Sequence, residues 1–137
     1  MVRDIEQART LLAEGFSAWV TELDLSFDAI TDEGVVMRMP FSPRICRQGG
    51  IVCGQAFMAL ADTASVFGLW AAAGALRPCT TVDVSIQMMR PVSDADVLAE
   101  TRLLRLGRSM AFVEVLLHAD GDARPAVHAT ATLALTG

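Results

Sequence analysis

The chain of 137 residues fits one domain, 1–137, and leaves no room for a second. At 53% hydrophobic and 20% charged it is too apolar for a disordered chain. Its formal charge of −5, with 11 basic residues that are all Arg, argues against a nucleic-acid binder that works by neutralising phosphates. Such an apolar excess in a short chain points to surface buried against another copy or around a greasy ligand. The acidity is local. Residues 1–33 carry eight acids against Arg3 and Arg9, whereas residues 38–108 carry eight arginines against five acids. That mildly basic middle suits either a solvated mixed surface or a compact anionic ligand.

Asp4 and Glu6 stand where a signal peptide needs an uninterrupted apolar run. Cys46, Cys53 and Cys79 show no CxxC spacing, so they read as reduced thiols of a cytoplasmic protein rather than as zinc ligands or a disulfide frame. Ile5, Ala8, Leu12, Phe16 and Trp19 recur at helical spacing, which predicts one amphipathic helix over 4–20. Strand-like runs over 23–31 and 35–41 flank Asp32-Glu33-Gly34, a hairpin signal. Residues 42–50, with Pro43, Gly49 and Gly50, read as a loop. A long apolar helix follows over about 52–73, closed by Gly74 and Pro78. Thr80 to Met89 alternates, with Val82, Val84, Ile86 and Met88 on one face and Thr81, Asp83, Ser85 and Gln87 on the other. Strands over 97–106, 109–118 and 126–135 complete the pattern, joined at Gly107 and at Asp120-Gly121-Asp122.

A helix apolar on nearly every side must be covered on nearly every side. Six antiparallel strands curled around it do this, giving an α+β layer architecture with one helix face open to a second subunit. Ala56 to Leu76 also meets the length test for a membrane span. Asp62 at its middle, at roughly 3 kcal/mol on insertion scales, favours a helix buried in protein and no membrane.

From Cys53 to Leu76, Asp62 is the one side chain with a full charge. It reads either as a structural plug bonded to a backbone group or hydroxyl, or as a catalytic carboxylate. Gly54 sits at the helix entrance, where backbone N–H groups lack intrahelical partners and can hold an anion or a developing oxyanion. Eight residues of helix hold Gly54 and Asp62 about 12 Å apart, so one carbonyl cannot touch both within a chain. Two such helices, antiparallel across a two-fold axis, bring Gly54 of one beside Asp62 of the other, which predicts a homodimer with composite sites. Cys53 reads as a small buried hydrophobe, with a nucleophile as the alternative. His118 and His128 are placed to face each other across two strands, and without a third ligand no metal is expected. Phe57, Met58, Phe67, Trp70, Met88 and Met89 read as core or as the lining of an acyl pocket.

One set of segments carries a resemblance. Gly50-Ile51-Val52-Cys53-Gly54-Gln55 is followed on the helix by Ala59-Leu60-Ala61-Asp62-Thr63-Ala64, then by Thr81-Val82-Asp83 and Met89-Arg90-Pro91-Val92. Leu106-Gly107-Arg108-Ser109 and His128-Ala129-Thr130-Ala131-Thr132 close the set. Over residues 22–136 this resembles the hotdog-fold acyl-CoA thioesterases of the phenylacetate-degradation and 4-hydroxybenzoyl-CoA types. The resemblance implies a hotdog fold, hydrolysis of acyl-CoA to a free acid and CoA, no cofactor beyond the CoA of the substrate, and a homodimer or homotetramer.

By position, the resemblance makes the Gly54 N–H the donor that polarises the carbonyl, Asp62 the base or nucleophile, and Thr81 the residue that places the water. The family pattern often reads Asn-x-x-Gly-x-x-His-Gly-Gly. Here Arg47 stands for the Asn or Gln that orients the carbonyl, Cys53 for the His and Gln55 for the second Gly, so Arg47, Gln48 or Gln55 takes the orienting role. Arg90, Arg108 and Ser109 stand near turns where similar enzymes meet the phosphates of CoA. Two alternatives stay open. One is a non-catalytic acyl-CoA binding module; the other is an enoyl-CoA hydratase or dehydratase, which needs a His–Asp or His–Glu pair.

Overall fold

The computed structural model describes residues 4–136. Asp4 opens the first helix, α1 (Ile5–Gly15), by accepting the Glu6 N–H at 3.0 Å, and Ala8 and Leu12 bury its inner face. The single helix expected over 4–20 is broken. Gly15 is a poor helix former, and Phe16 turns extended to stack on Phe67 with 5.4 Å between ring centroids. A short helix, α2 (Ala18–Thr21), restarts in a different phase, so Trp19, expected on the buried stripe, is 57% exposed.

The hairpin β1 (Ser26–Ile30) and β2 (Val35–Met39) is shorter than the runs that predict it. The expected loop over 42–50 holds regular structure: a 3-10 turn at Pro43–Ile45, then a ribbon of β3 (Cys46–Arg47) and β4 (Ile51–Val52). Its tip uses the left-handed φ of Gly49 (96°) and Gly50 (76°), which side chains rarely adopt. The long helix, α3 (Gly54–Ala73), begins two residues later than expected. Val52 belongs to β4, and its N–H donates to the Val92 carbonyl at 2.9 Å.

Four long strands, β5 (Cys79–Met88), β6 (Val97–Leu106), β7 (Met110–Ala119) and β8 (Val127–Leu135), join the first hairpin in one antiparallel sheet of order β1-β2-β6-β7-β8-β5. Its inner face wraps α3, so that Leu60, Ala64, Phe67 and Leu69 are buried with Met37, Val97, Val113, Val115 and Leu133. This is the α+β arrangement the sequence predicts. Among the described residues α3 is the one helix long and apolar enough to cross a membrane, and most of it is buried inside the protein. Gly68 sets how close α3 lies to the sheet. A Cβ there would come within 2.6 Å of Thr101 Cβ, whose own Oγ1 accepts the Val35 N–H at 3.0 Å.

The strict alternation expected for β5 fails at one point that matters. Thr81 pairs with Leu133 and Asp83 with Thr132, leaving Val82 as the extra residue of a β-bulge. Thr81 therefore joins Val84 and Ile86 on the inner face, whereas Val82 turns outward and is 56% exposed. On the outer face, Arg38 of β2 donates to Asp28 (2.8 and 3.1 Å), Asp96 (3.0 Å) and Asp120 (2.8 Å), tying four strands or their turns together.

Candidate active site

Asp62 projects from α3 toward β5, where Thr81 Oγ1 donates to its Oδ1 at 2.7 Å. The bulge makes this bond, because an unbroken alternation would point Thr81 away from the helix. The hydroxyl of Ser65 donates to the Asp62 carbonyl at 2.7 Å, so it is spent on the helix backbone. Among the described residues no arginine or histidine pairs with Asp62, and its Oδ2 receives no protein donor. Cys79 lies on the same inner face two residues before Thr81. Burial, and then the nearby Asp62 charge, push its thiol above the ordinary cysteine range. The period-two spacing from Thr81 is the sequence signal for this neighbour.

Gly54 is the first residue of the helix, eight residues before Asp62. It lines a cavity of about 250 Å³ with Arg47, Phe57, Met88, Met89 and Arg90. Cys53 is the helix cap, and its carbonyl accepts the N–H of Ala56 (3.2 Å) and of Phe57 (3.3 Å). The Gly54 and Gln55 N–H groups find no acceptor among the described residues. A Cβ at Gly54 would stand 3.1 Å from both Sδ and Cε of Met88, so the absent side chain leaves room for the thioether at the helix entrance. The ribbon of β3 and β4 carries Arg47 to this cavity, where its Nη1 donates to the Gln48 carbonyl at 3.3 Å. Gln48 and Gln55 are exposed at the same end, and Cys53 is half-buried. No carboxylate pairs with Arg47 or Arg90 among the described residues.

The expected site residues thus fall into two groups. Thr81, Leu133, Ala111 and Leu106 form one row across the sheet, at the end where the Arg108–Ser109 turn joins β6 to β7 and the Ser109 carbonyl accepts the Leu135 N–H at 2.9 Å. Met88, Val127, Leu117 and Ala99 form a row at the Gly54 end. Seven residues of strand separate Thr81 from Met88, about 20 Å. Asp62, Thr81, Arg108 and Ser109 lie toward one end, and Gly54, Arg47, Gln48, Cys53, Gln55 and Arg90 toward the other. The grouping of Arg90 with Arg108 at one set of turns does not hold within a chain.

The two histidines do not face each other. His118 Nδ1 bonds the Asp122 carbonyl at 2.8 Å, and His128 Nε2 meets Glu114 Oε2 at 3.0 Å. The register explains this, since His128 pairs with Leu116 rather than with His118. Glu114 also takes Arg102 at 3.1 Å; the His128 bond first, then Arg102, holds its carboxyl below the ordinary glutamate range. This His–Glu pair lies on the outer face, since Val113 and Val115 alternate with Glu114 into the core, so the sheet separates it from Asp62 and Gly54. Among the described residues no group of three or more His, Cys, Asp or Glu side chains is placed to hold a metal ion.

The profile of the thioesterase superfamily matches residues 49–126, from the tip of the β3–β4 ribbon to the start of β8. A crystal structure from Silicibacter sp. TM1040, provisionally assigned as a thioesterase, is 29% identical, with a TM-score of 0.85 over 100% of this chain and 94% of that one. A thioesterase of Haemophilus influenzae superposes with a TM-score of 0.87 at 19% identity, covering 98% of this chain and 91% of that one. A hypothetical thioesterase from Streptococcus pneumoniae TIGR4, solved with coenzyme A, gives a TM-score of 0.75 at 18% identity over 82% of this chain and 86% of that one. The architecture is the hotdog fold that these neighbours share.

Proposed function

The chain belongs to the thioesterase superfamily and is a thioester hydrolase, and from that premise we propose that its substrate is an acyl-CoA. The carrying observation is an unpartnered Gly54 N–H at the start of α3 together with an Asp62 held by one hydroxyl and by no cation. In this reading the thioester carbonyl oxygen accepts from the Gly54 N–H. Asp62 Oδ2 takes a proton from water as the water oxygen bonds to the carbonyl carbon. The negative charge that gathers on the carbonyl oxygen is met by the same N–H, aided by the positive end of the helix. Collapse breaks the C–S bond, the thiolate of CoA leaves, and the acid carries the water oxygen. Thr81 keeps Oδ1 occupied, so Oδ2 faces the water. Arg47 takes the carbonyl-orienting role, with Gln48 and Gln55 beside it, and no cofactor beyond the substrate is needed.

About 12 Å of helix separates the two halves of this machinery, so we place the working site across two copies, Gly54 from one and Asp62 from the other. The free edge of β5 and the exposed Met58, Val82 and Met88 supply surface for such a cytoplasmic homodimer. The coenzyme A held by the Streptococcus pneumoniae neighbour supports the choice of CoA ester.

The test mixes two inactive variants. Asp62→Asn and Gly54→Val are each assayed on a panel of acyl-CoAs, then unfolded together and refolded. Half of the dimers formed are mixed, each with one intact site, so about a quarter of the parent rate should return. No recovery above the two variants alone overturns the composite site. Undiminished hydrolysis by Asp62→Asn overturns its role, and tight CoA-ester binding without turnover by the parent overturns hydrolysis of that substrate.

A further inference from the structure

The walls of the Gly54 cavity carry charge of one sign. Ile51, Phe57, Met88 and Met89 supply apolar surface, Arg47 and Arg90 supply two guanidinium groups, and no carboxylate lines it among the described residues. Arg47 already has the carbonyl-orienting role, and its Nη1 donates to the Gln48 carbonyl at 3.3 Å. Arg90 has no such task. Its side chain makes no hydrogen bond or close ion pair among the described residues. Its backbone is fixed all the same. The Met89 and Arg90 N–H groups donate to the Ala126 carbonyl at 2.7 and 3.1 Å, and the Val52 N–H donates to Val92 at 2.9 Å. The segment is thus tied to β4 on one side and to the start of β8 on the other.

Asp122 stands across a second cavity, which Arg90 and Pro91 share with Asp122, Arg124 and Ala126. Arg124 takes that carboxylate, Nη2 to Oδ2 at 2.8 Å and Nε to Oδ1 at 3.1 Å. Those bonds first, and the charge of Arg90 last, hold the Asp122 carboxyl below the ordinary aspartate range. Arg90 therefore meets Asp122 through charge alone and keeps its donor fork free.

A guanidinium is costly to strip of water without an acceptor in return. A neutral acyl chain drawn into this cavity would cover Arg90 and offer it nothing. A chain that ends in a carboxylate lays its methylenes on the methionine and phenylalanine walls and gives the fork two oxygens. The cavity volume of about 250 Å³ equals about eight waters at ~30 Å³ each, so the chain it takes is short. We propose that Arg90 is a specificity-determining residue that binds a carboxylate at the far end of the acyl group, which makes CoA esters of short dicarboxylic acids the preferred substrates. This rests on the acyl-CoA reading. Arg90 then decides which ester binds, and the cleavage itself stays with Gly54 and Asp62.

Adipyl-CoA and pimelyl-CoA, each against its uncharged monoamide of the same length, test this. The CoA half is common to both members of a pair, so their kcat/KM ratio reports the acyl end alone. The parent should favour the acid over the amide by roughly ten- to a hundredfold. Arg90→Ala should bring that ratio near one. Arg90→Lys should keep part of it, since it retains the charge without the fork. A parent that cleaves acid and amide alike, a preference that survives Arg90→Ala, or one lost only in Arg47→Ala overturns the assignment. A parent that cleaves N-acetylcysteamine esters but no CoA ester overturns instead the acyl-CoA reading, and the acid-to-amide ratio on those esters then decides the role of Arg90.

Discussion

Arg38 on the outer face and Arg90 beside the Gly54 cavity carry the same group into opposite situations. The guanidinium of Arg38 is saturated by Asp28, Asp96 and Asp120, and those bonds raise its pKa further above the arginine range. Arg90 and Arg47 stand at a cavity mouth without a hydrogen bond or close ion pair to a carboxylate among the described residues, and Asp62 is held by a hydroxyl rather than by a cation. Charges that the chain satisfies by itself hold strands together; charges it leaves open are available to a ligand or to another copy. Removing a saturated charge should therefore damage stability, and removing an open one should damage turnover.

Asp62→Asn is the sharpest way to break that contrast. Hydrolysis should fall about a thousandfold, on the scale of a lost general base, while the thermal midpoint stays near that of the parent. A large stability loss in a chain that still turns over would return Asp62 to a structural plug. Thr81→Val should lower kcat by roughly ten- to a hundredfold, and Thr81→Ser should keep most of it, because the effect belongs to the hydroxyl on Oδ1. Steady-state kinetics on the two variants decides it, since a packing role would instead favour the valine.

The closed regions should respond the other way. Gly68→Ala places a methyl against Thr101, so unfolding in urea should show a loss of about 1–3 kcal/mol with kcat little changed. Arg38→Ala should lower the urea midpoint by less, and leave hydrolysis unaltered.

Acid sharpens the same point. The Phe41 N–H at 2.7 Å, and then Arg38, hold the Asp96 carboxyl below the ordinary aspartate range. A depressed folded-state pKa stabilises above the unfolded value, about 4, and that contribution is lost as pH falls through the folded value. The parent should therefore weaken below about pH 4. Arg38→Ala, starting lower at neutral pH, should decline less steeply, which midpoints measured from pH 6 to 2 would check.

Much of this was legible in the residues. The apolar run after Cys53 had to be a covered helix, and alternating strands after it supply the cover. Asp62 stood out as a lone charge in that run, and Gly54 as the residue at its entrance. What failed were features in which a distant contact overrides a local period. Phe16 leaves the helical phase because Phe67 offers a ring to stack on. Cys46 and Arg47 leave the expected loop to pair with Val52 and Ile51, a ribbon anchored where the Val52 N–H donates to the Val92 carbonyl. Arg124 drew no notice in the sequence, since a lone arginine in a turn becomes part of a cavity wall only once Ala126 ties that turn to Arg90.

The residues themselves determined the α+β class, the long apolar helix, and the roughly 12 Å of helix between Gly54 and Asp62. Helical rise and apolar periodicity are properties of the local chain, so they can be read before anything folds. Which way Thr81 points was decided by the sheet. Alternation has a period of two along one strand, but the extra residue at Val82 exists only relative to the register that β5 adopts against β8. The bulge carries that hydroxyl through the sheet to Asp62, and no single-strand pattern contains it.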